Sequence, residues 1–503
     1  MLNNRPLKPA SQVGQHPSAP LVRTLPADLE TPVSIYLKLA DGSPSFLLES
    51  VTGGEQVARY SFIGVRPRRV YLLQGDRLIV RETDGRQRSR AGNPFQCLEE
   101  EFRAFQRPAT PGLPRFSGGL VGYLGYEMVR WFEPGVSRIP IQNQMPDGVF
   151  LEADSLVAFD HAFGKVMLIV HPDLSLPEPN RQREALRRLN ELHSRINQPL
   201  PAPPPASAAG ILPSDWLSMP RDIFLSGVEQ AKEAIRAGEI FQVVLSQRFT
   251  RSTPARPFEI YRALRRLNPS PYMFYFDFGD AAGGQPLRLI GASPEMHVRL
   301  SGATATLRPI AGTRPRGATP QQDMELEQDL LADEKERAEH IMLVDLARND
   351  LGRVCEFGSV RVREQMTIER YSHVMHIVSQ VEGRLRPAAN AFELMRATFP
   401  AGTVSGAPKV RAMQIIAELE VQPRGVYAGA VGYFAYDGSM DTCIAIRTLV
   451  MQGDQIALQA GAGIVADSQP EREYEETLNK ARALAQAVEI AERKETDDVA
   501  HSR

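Results

Sequence analysis

The chain has 503 residues, a length that allows about two to four domains of ordinary size and a large buried core. Its 43% hydrophobic and 23% charged content is typical of a globular protein rather than a disordered or fibrous one. The 58 Lys and Arg against 60 Asp and Glu give a formal net charge of −2, so no overall field attracts nucleic acid or an anionic membrane. Any site for a charged ligand is therefore local.

The three cysteines, Cys97, Cys355 and Cys443, lie far apart, without a CxxC pair or a neighbouring pair of histidines. This pattern excludes a disulfide framework and a zinc knuckle and favours a reducing compartment. The residues after Met1 lack the apolar stretch of a signal peptide, and no run of about 18 apolar residues predicts a membrane span. We therefore expect a cytoplasmic protein.

Composition divides the chain into two regions. Residues 199–211 are rich in proline and predict an extended linker between an N-terminal region, 21–198, and a C-terminal region, 212–494. The polar ends, 1–20 and 495–503, are predicted to be flexible tails.

The two regions differ in their predicted elements. In the N-terminal region, short strands are predicted at 45–50 and 70–74, and apolar residues at helical spacing predict a helix over 181–196. In the C-terminal region, the same spacing predicts one long helix over 325–351 and a second over 471–493.

Two glycine-rich segments, 119–127 and 429–437, resemble each other. The second is predicted to begin a β-hairpin. The similarity indicates either two strands that pack closely or a duplicated sheet element, and with two copies it is no solenoid repeat.

Two of the predicted helices carry glutamates three residues apart. Glu336 and Glu339 share one helix face, and so do Glu473 and Glu476, with Lys480 four residues further on. Each pair is either a solvated acidic face or a carboxylate site for a hard cation such as Mg²⁺.

Two segments rich in glycine and proline, 309–317 and 400–409, are predicted to be loops. Either could hold an anion, although for the second segment the local pattern favours a cap on the helix that follows it. Neither has the P-loop pattern of a nucleotide site. His376 lies in apolar company, as core histidines do, whereas Arg447 lies in a strand-like buried segment, where an arginine needs an anionic partner.

Taken together, these motifs resemble the chorismate-utilising enzyme family over nearly the whole chain. Ten motifs in the same order are far more specific than any one of them. They lie at residues 47–50, 59–64, 268–273, 291–295, 309–313, 333–340, 343–350, 400–409, 461–465 and 475–480.

The resemblance implies an α/β fold of two interleaved parts around orthogonally packed antiparallel sheets flanked by helices. It places the active site in the C-terminal region and implies Mg²⁺ and the dianion chorismate. It assigns Glu339 and Glu476 to the metal, with Glu336 and Glu473 behind them or bound through water. The residues that it assigns to the substrate are Gly312, Thr313, Tyr427, Arg447, Gly461, Gly463 and Lys480.

The resemblance also implies the reaction. Ammonia attacks the ring as the hydroxyl leaves, and loss of pyruvate then gives anthranilate. Glu295 matches the general acid for the departing hydroxyl, His376 matches a histidine that handles protons, and Thr403 belongs to the same catalytic set.

Two positions distinguish members of the family by their attacking group. Members that make aminodeoxychorismate carry a lysine nucleophile where this chain has Ala311, and members that add water carry a lysine base where it has Gln242. External ammonia is then the remaining attacker. An alternative is an aminodeoxyisochorismate or aminodeoxychorismate synthase component.

The chain has no frame for a glutaminase nucleophile, so the resemblance implies a separate glutamine amidotransferase subunit as the source of ammonia. It further implies feedback inhibition by tryptophan, with the Glu49 carboxylate on the ligand's ammonium group. A tryptophan-binding relative without catalysis is the competing class, which the complete catalytic set argues against. The residues implied for tryptophan are Glu49, Ser50, Pro271, Tyr272, Met273 and Cys443.

Overall fold

A computed structural model describes residues 11–12, 19–50, 59–136, 145–202, 215–282, 284–371 and 374–501. The predicted linker at 199–211 lies outside the described residues from position 203 onward, and so does most of the predicted tail at 1–20. The helices are α1 (Pro32–Leu39), α2 (Pro94–Arg103), α3 (Asn180–Ile196), α4 (Arg221–Arg236), α5 (Pro257–Leu267), α6 (Pro320–Ala332), α7 (Glu334–Gly352), α8 (Ala391–Thr398), α9 (Lys409–Leu419) and α10 (Pro470–His501).

The strands are β1 (Ser11–Gln12), β2 (Leu21–Pro26), β3 (Ser45–Glu49), β4 (Tyr60–Val65), β5 (Arg69–Gln74), β6 (Arg77–Glu82), β7 (Gln87–Ala91), β8 (Gly119–Leu124), β9 (Gly148–Ala153), β10 (Ser155–Asp160), β11 (Lys165–Val170), β12 (Gln242–Ser252), β13 (Tyr272–Asp277), β14 (Leu287–Ser293), β15 (Met296–Ser301), β16 (Thr304–Leu307), β17 (Ile310–Pro315), β18 (Arg361–Arg370), β19 (Val374–Arg384), β20 (Gly406–Ala407), β21 (Ala430–Ala435), β22 (Met440–Ile444), β23 (Thr448–Gln452) and β24 (Gln455–Ile464).

The strands form two antiparallel sheets, and each sheet takes strands from both regions of the chain. The first has the order β1-β2-β11-β10-β4-β3-β13-β14-β23-β24-β12-β20. The second has the order β17-β19-β16-β15-β22-β21-β8-β9-β5-β6-β7, and β18 also pairs with β19. The regions join where β3 pairs with β13 and where β8 pairs with β21. The predicted interleaved α/β fold with antiparallel sheets is therefore confirmed.

The core lies between the sheets and on their outer faces. One buried cluster joins Phe46 and Phe274 of the first sheet to Tyr123 and Val431 of the second. A second cluster packs α1, α3, α5 and α10 on the first sheet. A third packs α2 and α8 on the second sheet, and α4 and α9 on β12 of the first. Within the described part of the chain, no helix is both long and apolar enough to cross a membrane.

The two similar glycine-rich segments become the neighbouring strands β8 and β21, with Gly122 opposite Gly432. A Cβ at Gly122 would lie 1.9 Å from the Val149 carbonyl oxygen, so no larger residue fits there. The structure thus favours the close-packing interpretation of the similarity. The predicted hairpin is confirmed, because β21 turns directly into β22.

The long helix predicted over 325–351 is wrong, because the chain breaks at Asp333 into α6 and α7. The Asp333 side chain accepts hydrogen bonds from the backbone N–H groups of Lys335 and Glu336 and so caps α7. Apolar periodicity continues across this break, which is why the pattern alone does not reveal it.

The other two predicted helices are confirmed as α3 and α10. α10 continues to His501, into the segment predicted as a C-terminal tail. At the other end of the chain, Ser11 and Gln12 of the predicted N-terminal tail pair with β2.

Candidate active site

The floor of the site is a glycine run in β24. A Cβ at Gly461 would lie 2.6 Å from the Tyr427 hydroxyl, and one at Gly463 would lie 2.6 Å from the Gln242 amide nitrogen. Only glycine lets these polar side chains lie against the strand. The run therefore presents backbone polar groups beside two hydrogen-bonding side chains.

The first pair of glutamates, on α7, reaches both this floor and β17. Glu339 accepts a hydrogen bond of 3.2 Å from the Gln242 amide. A Cβ at Gly312 would lie 3.4 Å from a Glu336 carboxylate oxygen. Burial and then the charge of Glu339 raise the pKa of Glu336, so a nearby cation would relieve repulsion between the two carboxylates.

Lys480 connects the second pair, on α10, to the same floor. Glu476 forms an ion pair of 2.5 Å with Lys480, which donates a hydrogen bond of 2.9 Å to the Gly461 carbonyl oxygen. Burial raises the pKa of Glu473, Ser468 opposes that shift by hydrogen bonding, and the charge of Glu476 adds to it. Across the described ranges, no three acidic, histidine or cysteine side chains come close enough to form a complete metal cage.

The wall opposite the floor is an edge strand. The segment 309–317, predicted as a loop, instead contains β17, which pairs with β19 and is irregular at Gly312. Proline in this segment favoured a loop in the sequence, but an edge strand also tolerates proline. Gly312 has a φ of 70°, a left-handed conformation that glycine adopts without strain.

His376 lies on β19, beside this irregularity. Its Nδ1 is 2.9 Å from the Gly312 carbonyl oxygen and 3.1 Å from the Thr313 hydroxyl. A carbonyl oxygen only accepts, so the proton lies on Nδ1 and the Nε2 lone pair is available. Burial lowers the pKa of His376, which keeps the ring neutral at pH 7. A neutral histidine with an available Nε2 can accept a proton.

Glu295 is a buried acid. It lies between β14 and β15, and burial raises its pKa to about 8. The Thr403 hydroxyl donates to Glu295 Oε1 over 2.6 Å. At neutral pH the carboxyl group therefore holds a proton, as a general acid must.

Thr403 comes from the second predicted loop, which forms a short 3₁₀ turn at Gly402–Val404. No side chain caps α9, whose N-cap position is Pro408. The capping interpretation of the segment 400–409 is therefore wrong. The segment instead brings a hydroxyl group to Glu295.

Arg447 is a desolvated cation. It was predicted within a strand, but it lies between β22 and β23 with a φ of 52°, a strained conformation for a residue with a side chain. Burial lowers its pKa, and Tyr427 and Glu476 oppose that shift. Among the described residues, no acidic side chain lies within ion-pair distance of its guanidinium. The group is free to bind an anion.

Electrostatic effects link these groups into one site. Burial is the main cause of the lowered pKa of His376, and the positive charge of Arg447 lowers it further. The pKa of Glu473, raised mainly by burial, is held down by Lys335, the neighbour of Glu336 on α7. The predicted substrate, metal and proton-handling residues thus surround one region between the two sheets.

The six residues predicted for tryptophan line a different cavity, of about 50 Å³, where β3 meets β13. The Glu49 carboxylate, which the resemblance assigns to the ligand's ammonium group, is already hydrogen-bonded within the chain. Arg265 donates two hydrogen bonds to it, at 2.9 and 3.0 Å, and Tyr261 donates a third. The Glu49 side chain is only 1% exposed.

Sequence reasoning missed the ion pair of Glu420 and Arg424, which lies beside Tyr427. Its one sequence signal was the spacing of four residues. That spacing is uninformative here because α9 ends at Leu419, before either residue.

The comparison with protein families agrees with this geometry. The family model described as chorismate binding enzyme matches residues 43–486, which include every strand except β1 and β2 and every site residue described above. The chain belongs to the chorismate-binding enzyme family.

Curated relatives within the family resemble the chain over nearly its whole length. Anthranilate synthase component 1 from Pseudomonas aeruginosa is 49% identical over 93% of this chain and 94% of its own. The protein of the same name from Acetivibrio thermocellus is 45% identical over 94% and 95%.

Two solved structures resemble the fold. Anthranilate synthase component I from Streptococcus pneumoniae has a TM-score of 0.72 and 36% identity over 92% of this chain and 98% of its own. The menaquinone-specific isochorismate synthase from Escherichia coli has a TM-score of 0.70 and 20% identity over 94% and 95%. The second likeness concerns the fold alone.

We expect Arg447→Met to weaken substrate binding without lowering thermal stability. The variant should raise the KM for chorismate about 100-fold, because the substrate loses a charge-assisted hydrogen-bond partner. Its Tm should not fall, because a buried charge without a counter-ion is removed. Steady-state kinetics and thermal unfolding test the two effects.

Arg188→Met is the matched control. Arg188 forms a 2.6 Å ion pair with Asp154 on the N-terminal side, so its loss should lower the Tm and leave the KM unchanged. A normal KM in Arg447→Met would contradict the assignment of Arg447.

Proposed function

We propose that this chain is the chorismate-acting component of an anthranilate synthase. It converts chorismate and ammonia to anthranilate and pyruvate, the first committed step of tryptophan biosynthesis in the cytoplasm. The observation that carries this proposal is the 49% identity, over 93% of the chain, to a relative named anthranilate synthase component 1.

The charges of the site suit a dianionic substrate. One carboxylate of chorismate would meet the uncompensated guanidinium of Arg447, the Tyr427 hydroxyl and the backbone at Gly463. The ring would lie towards Gly312 and Thr313, where β17 is irregular. The other carboxylate would lie near Lys480 and the paired glutamates.

The reaction forms one C–N bond and breaks two ring C–O bonds. Ammonia attacks the ring carbon next to the carboxylate-bearing one, and the hydroxyl leaves as water with the proton of Glu295, whose pKa of about 8 keeps that proton available. His376 Nε2 handles a proton during these steps. The new ammonium group and then the ring each lose a proton, and the enolpyruvyl group leaves as an enolate that takes up a proton to become pyruvate, which gives the aromatic product.

The nucleophile comes from outside the chain. Ala311 carries no amine, and Gln242 cannot deprotonate water and already donates to Glu339. A glutamine amidotransferase subunit would supply ammonia, because at neutral pH free ammonia is scarce beside ammonium.

The carboxylates fit Mg²⁺. Hard cations take oxygen ligands, and Mg²⁺ often uses only one or two carboxylates together with water and substrate oxygens. Glu339 and Glu476 would hold the ion, with Glu336 and Glu473 behind them. Bound Mg²⁺ would neutralise and orient the substrate carboxylate.

Product analysis tests the proposal. The purified chain with chorismate, Mg²⁺ and an ammonium salt at raised pH should release anthranilate and pyruvate in equal amounts. Glutamine should replace ammonium only after the amidotransferase subunit is added. Accumulation of an amino-isochorismate without pyruvate would instead indicate the aminodeoxyisochorismate alternative, and glutamine-driven turnover by the chain alone would overturn the partner assignment.

Tryptophan would regulate the chain from the cavity at the β3–β13 junction. At about 50 Å³ this cavity is too small for an indole, so a ligand must widen the junction between the two regions. By linkage, tryptophan lowers the affinity for chorismate only if tryptophan binds the wider arrangement more tightly and chorismate binds the narrower one more tightly.

We expect Ser50→Phe to relieve tryptophan inhibition by filling this cavity while uninhibited turnover stays near wild type. Ser89→Phe places the same ring on the exposed strand β7 and should keep full inhibition. Inhibition curves for the three proteins check this. Full sensitivity of Ser50→Phe would place the regulatory site elsewhere.

A further inference from the structure

A buried and extensively hydrogen-bonded cation near the site belongs to Arg424, which has no described hydrogen bond to the glycine floor or to the paired glutamates. Its side chain is 1% exposed. It donates two hydrogen bonds to Glu420, at 2.6 and 2.8 Å. Its guanidinium also donates to the carbonyl oxygens of Val404 and Val244, each over 2.7 Å.

Each of these contacts leads to a different part of the active site. Val404 follows Thr403, the residue that donates to Glu295. Val244 lies opposite Gly463 of the glycine floor. The Arg424 guanidinium also lies 5.6 Å from the centre of the Tyr427 ring.

The partner carboxylate is equally engaged. Glu420 accepts 2.9 Å hydrogen bonds from the backbone N–H and the hydroxyl of Ser246, which lies opposite Gly461. The backbone N–H groups of Arg424 and Gly425 are held in turn by the buried carboxylate of Glu127, at 2.7 and 2.9 Å.

We propose that the Arg424–Glu420 ion pair positions the active site. It fixes the hydrogen-bonded pair Glu295 and Thr403 relative to the glycine floor and Tyr427, which receive the substrate carboxylate. This inference rests on the proposed function. Arg424 is a positioning residue, because it acts through Val404, Val244 and Tyr427 rather than on the substrate.

Lysine cannot replace arginine here. The guanidinium is a planar fork that reaches Glu420, Val404 and Val244 at the same time, whereas an ammonium group is a single point on a flexible stem. Arg424→Lys keeps the charge but loses this geometry. The turn that carries Thr403 would then be free to move relative to β12.

The first test is a kinetic comparison of wild type and Arg424→Lys with chorismate, Mg²⁺ and ammonium. We expect the variant to lose at least 10-fold in kcat with a much smaller change in the KM for chorismate. The alkaline limb of its pH profile, normalised to free ammonia, should also move to higher pH. The Thr403 hydrogen bond lowers the pKa of Glu295 against the effect of burial, so a displaced Thr403 lets that pKa rise.

Other groups near Glu295 are common to both proteins and do not account for such a shift. The charge of Glu295 contributes to the raised pKa of Tyr371, after burial and the effects of Glu369. His297, Arg308 and Asp350 line a small cavity together with Glu295.

Arg188→Lys is the control for the loss of a partly buried, ion-paired arginine. Arg188 likewise binds a carboxylate, of Asp154, and a backbone carbonyl, of His171, but it lies on α3 in the N-terminal region. It should lower the Tm and leave both kcat and the pH profile unchanged. If Arg188→Lys loses kcat in the same proportion to its Tm as Arg424→Lys does, the role of Arg424 is merely structural and the proposal fails.

The double variant Glu420→Met with Arg424→Met covers the case in which Arg424→Lys does not fold. Replacing both partners of a buried ion pair by apolar groups often preserves folding. This variant should unfold cooperatively yet show the same loss in kcat and the same pH shift, and wild-type kinetics would overturn the proposal. Absence of anthranilate from the wild type would instead refute the proposed function.

Discussion

Glu295→Gln is expected to lower kcat/KM for chorismate by about 10²- to 10⁴-fold, the usual effect of losing a positioned general acid. Because burial raises the pKa of Glu295 to about 8, the wild-type carboxyl group is protonated below that pH and loses its proton as the pH rises through it. Wild-type activity per free ammonia should therefore fall above about pH 8. The amide has no proton to give at any pH, so the variant should lack this limb.

Two further variants make this result specific. Thr403→Val removes the hydrogen bond that stabilises the charged form of Glu295, so the limb should move to higher pH. Glu152→Gln changes another buried glutamate, on β9, and should leave the pH profile unchanged. A Glu295→Gln protein with the wild-type rate and limb would show that another group donates the proton.

Glu339→Gln and Glu476→Gln are each expected to raise the Mg²⁺ concentration for half-maximal activity by about 100-fold or more, because hard cations need ionised oxygen ligands. Glu336→Gln and Glu473→Gln should have smaller effects, of about 10- to 100-fold, as supporting residues do. EDTA should abolish turnover of the wild type. Activity across a Mg²⁺ titration and the Tm shift caused by Mg²⁺ both measure the effect.

Glu489→Gln is the matched control. It removes the same charge from the exposed surface of α10, thirteen residues beyond Glu476 and thus about 20 Å along the helix. It should titrate like the wild type. Wild-type rates in Glu339→Gln or Glu476→Gln at limiting Mg²⁺ would refute the ligand assignment.

The elements that the sequence predicted well depend on local pattern. α3 and α10 follow from apolar residues at helical spacing, and β3 and β5 follow from short apolar runs between turn residues. The spacing of three residues in Glu336/Glu339 and Glu473/Glu476 places each pair on one helix face whatever the rest of the chain does.

The errors occur where a local signal competes with a distant partner. The break at Asp333 depends on a cap that apolar periodicity does not report. The segment 309–317 has the composition of a loop, but β19 makes it an edge strand. The sequence likewise does not show that Arg265, 216 residues away, donates two hydrogen bonds to the Glu49 carboxylate.

The sequence by itself therefore determined the family resemblance, the α/β class, the main helices and the residue types of the site, since all of these depend on spacing along the chain. Only the tertiary structure decided that the glutamate pairs of α7 and α10 lie near one glycine strand, and that Arg447 has no described carboxylate partner. It also decided that Arg424 links the turn of Thr403, through Val404, to β12, through Val244. The physical reason is that hydrogen bonds, burial and charge compensation depend on distances in space, and in this fold those distances are set by strand pairings between residues hundreds of positions apart.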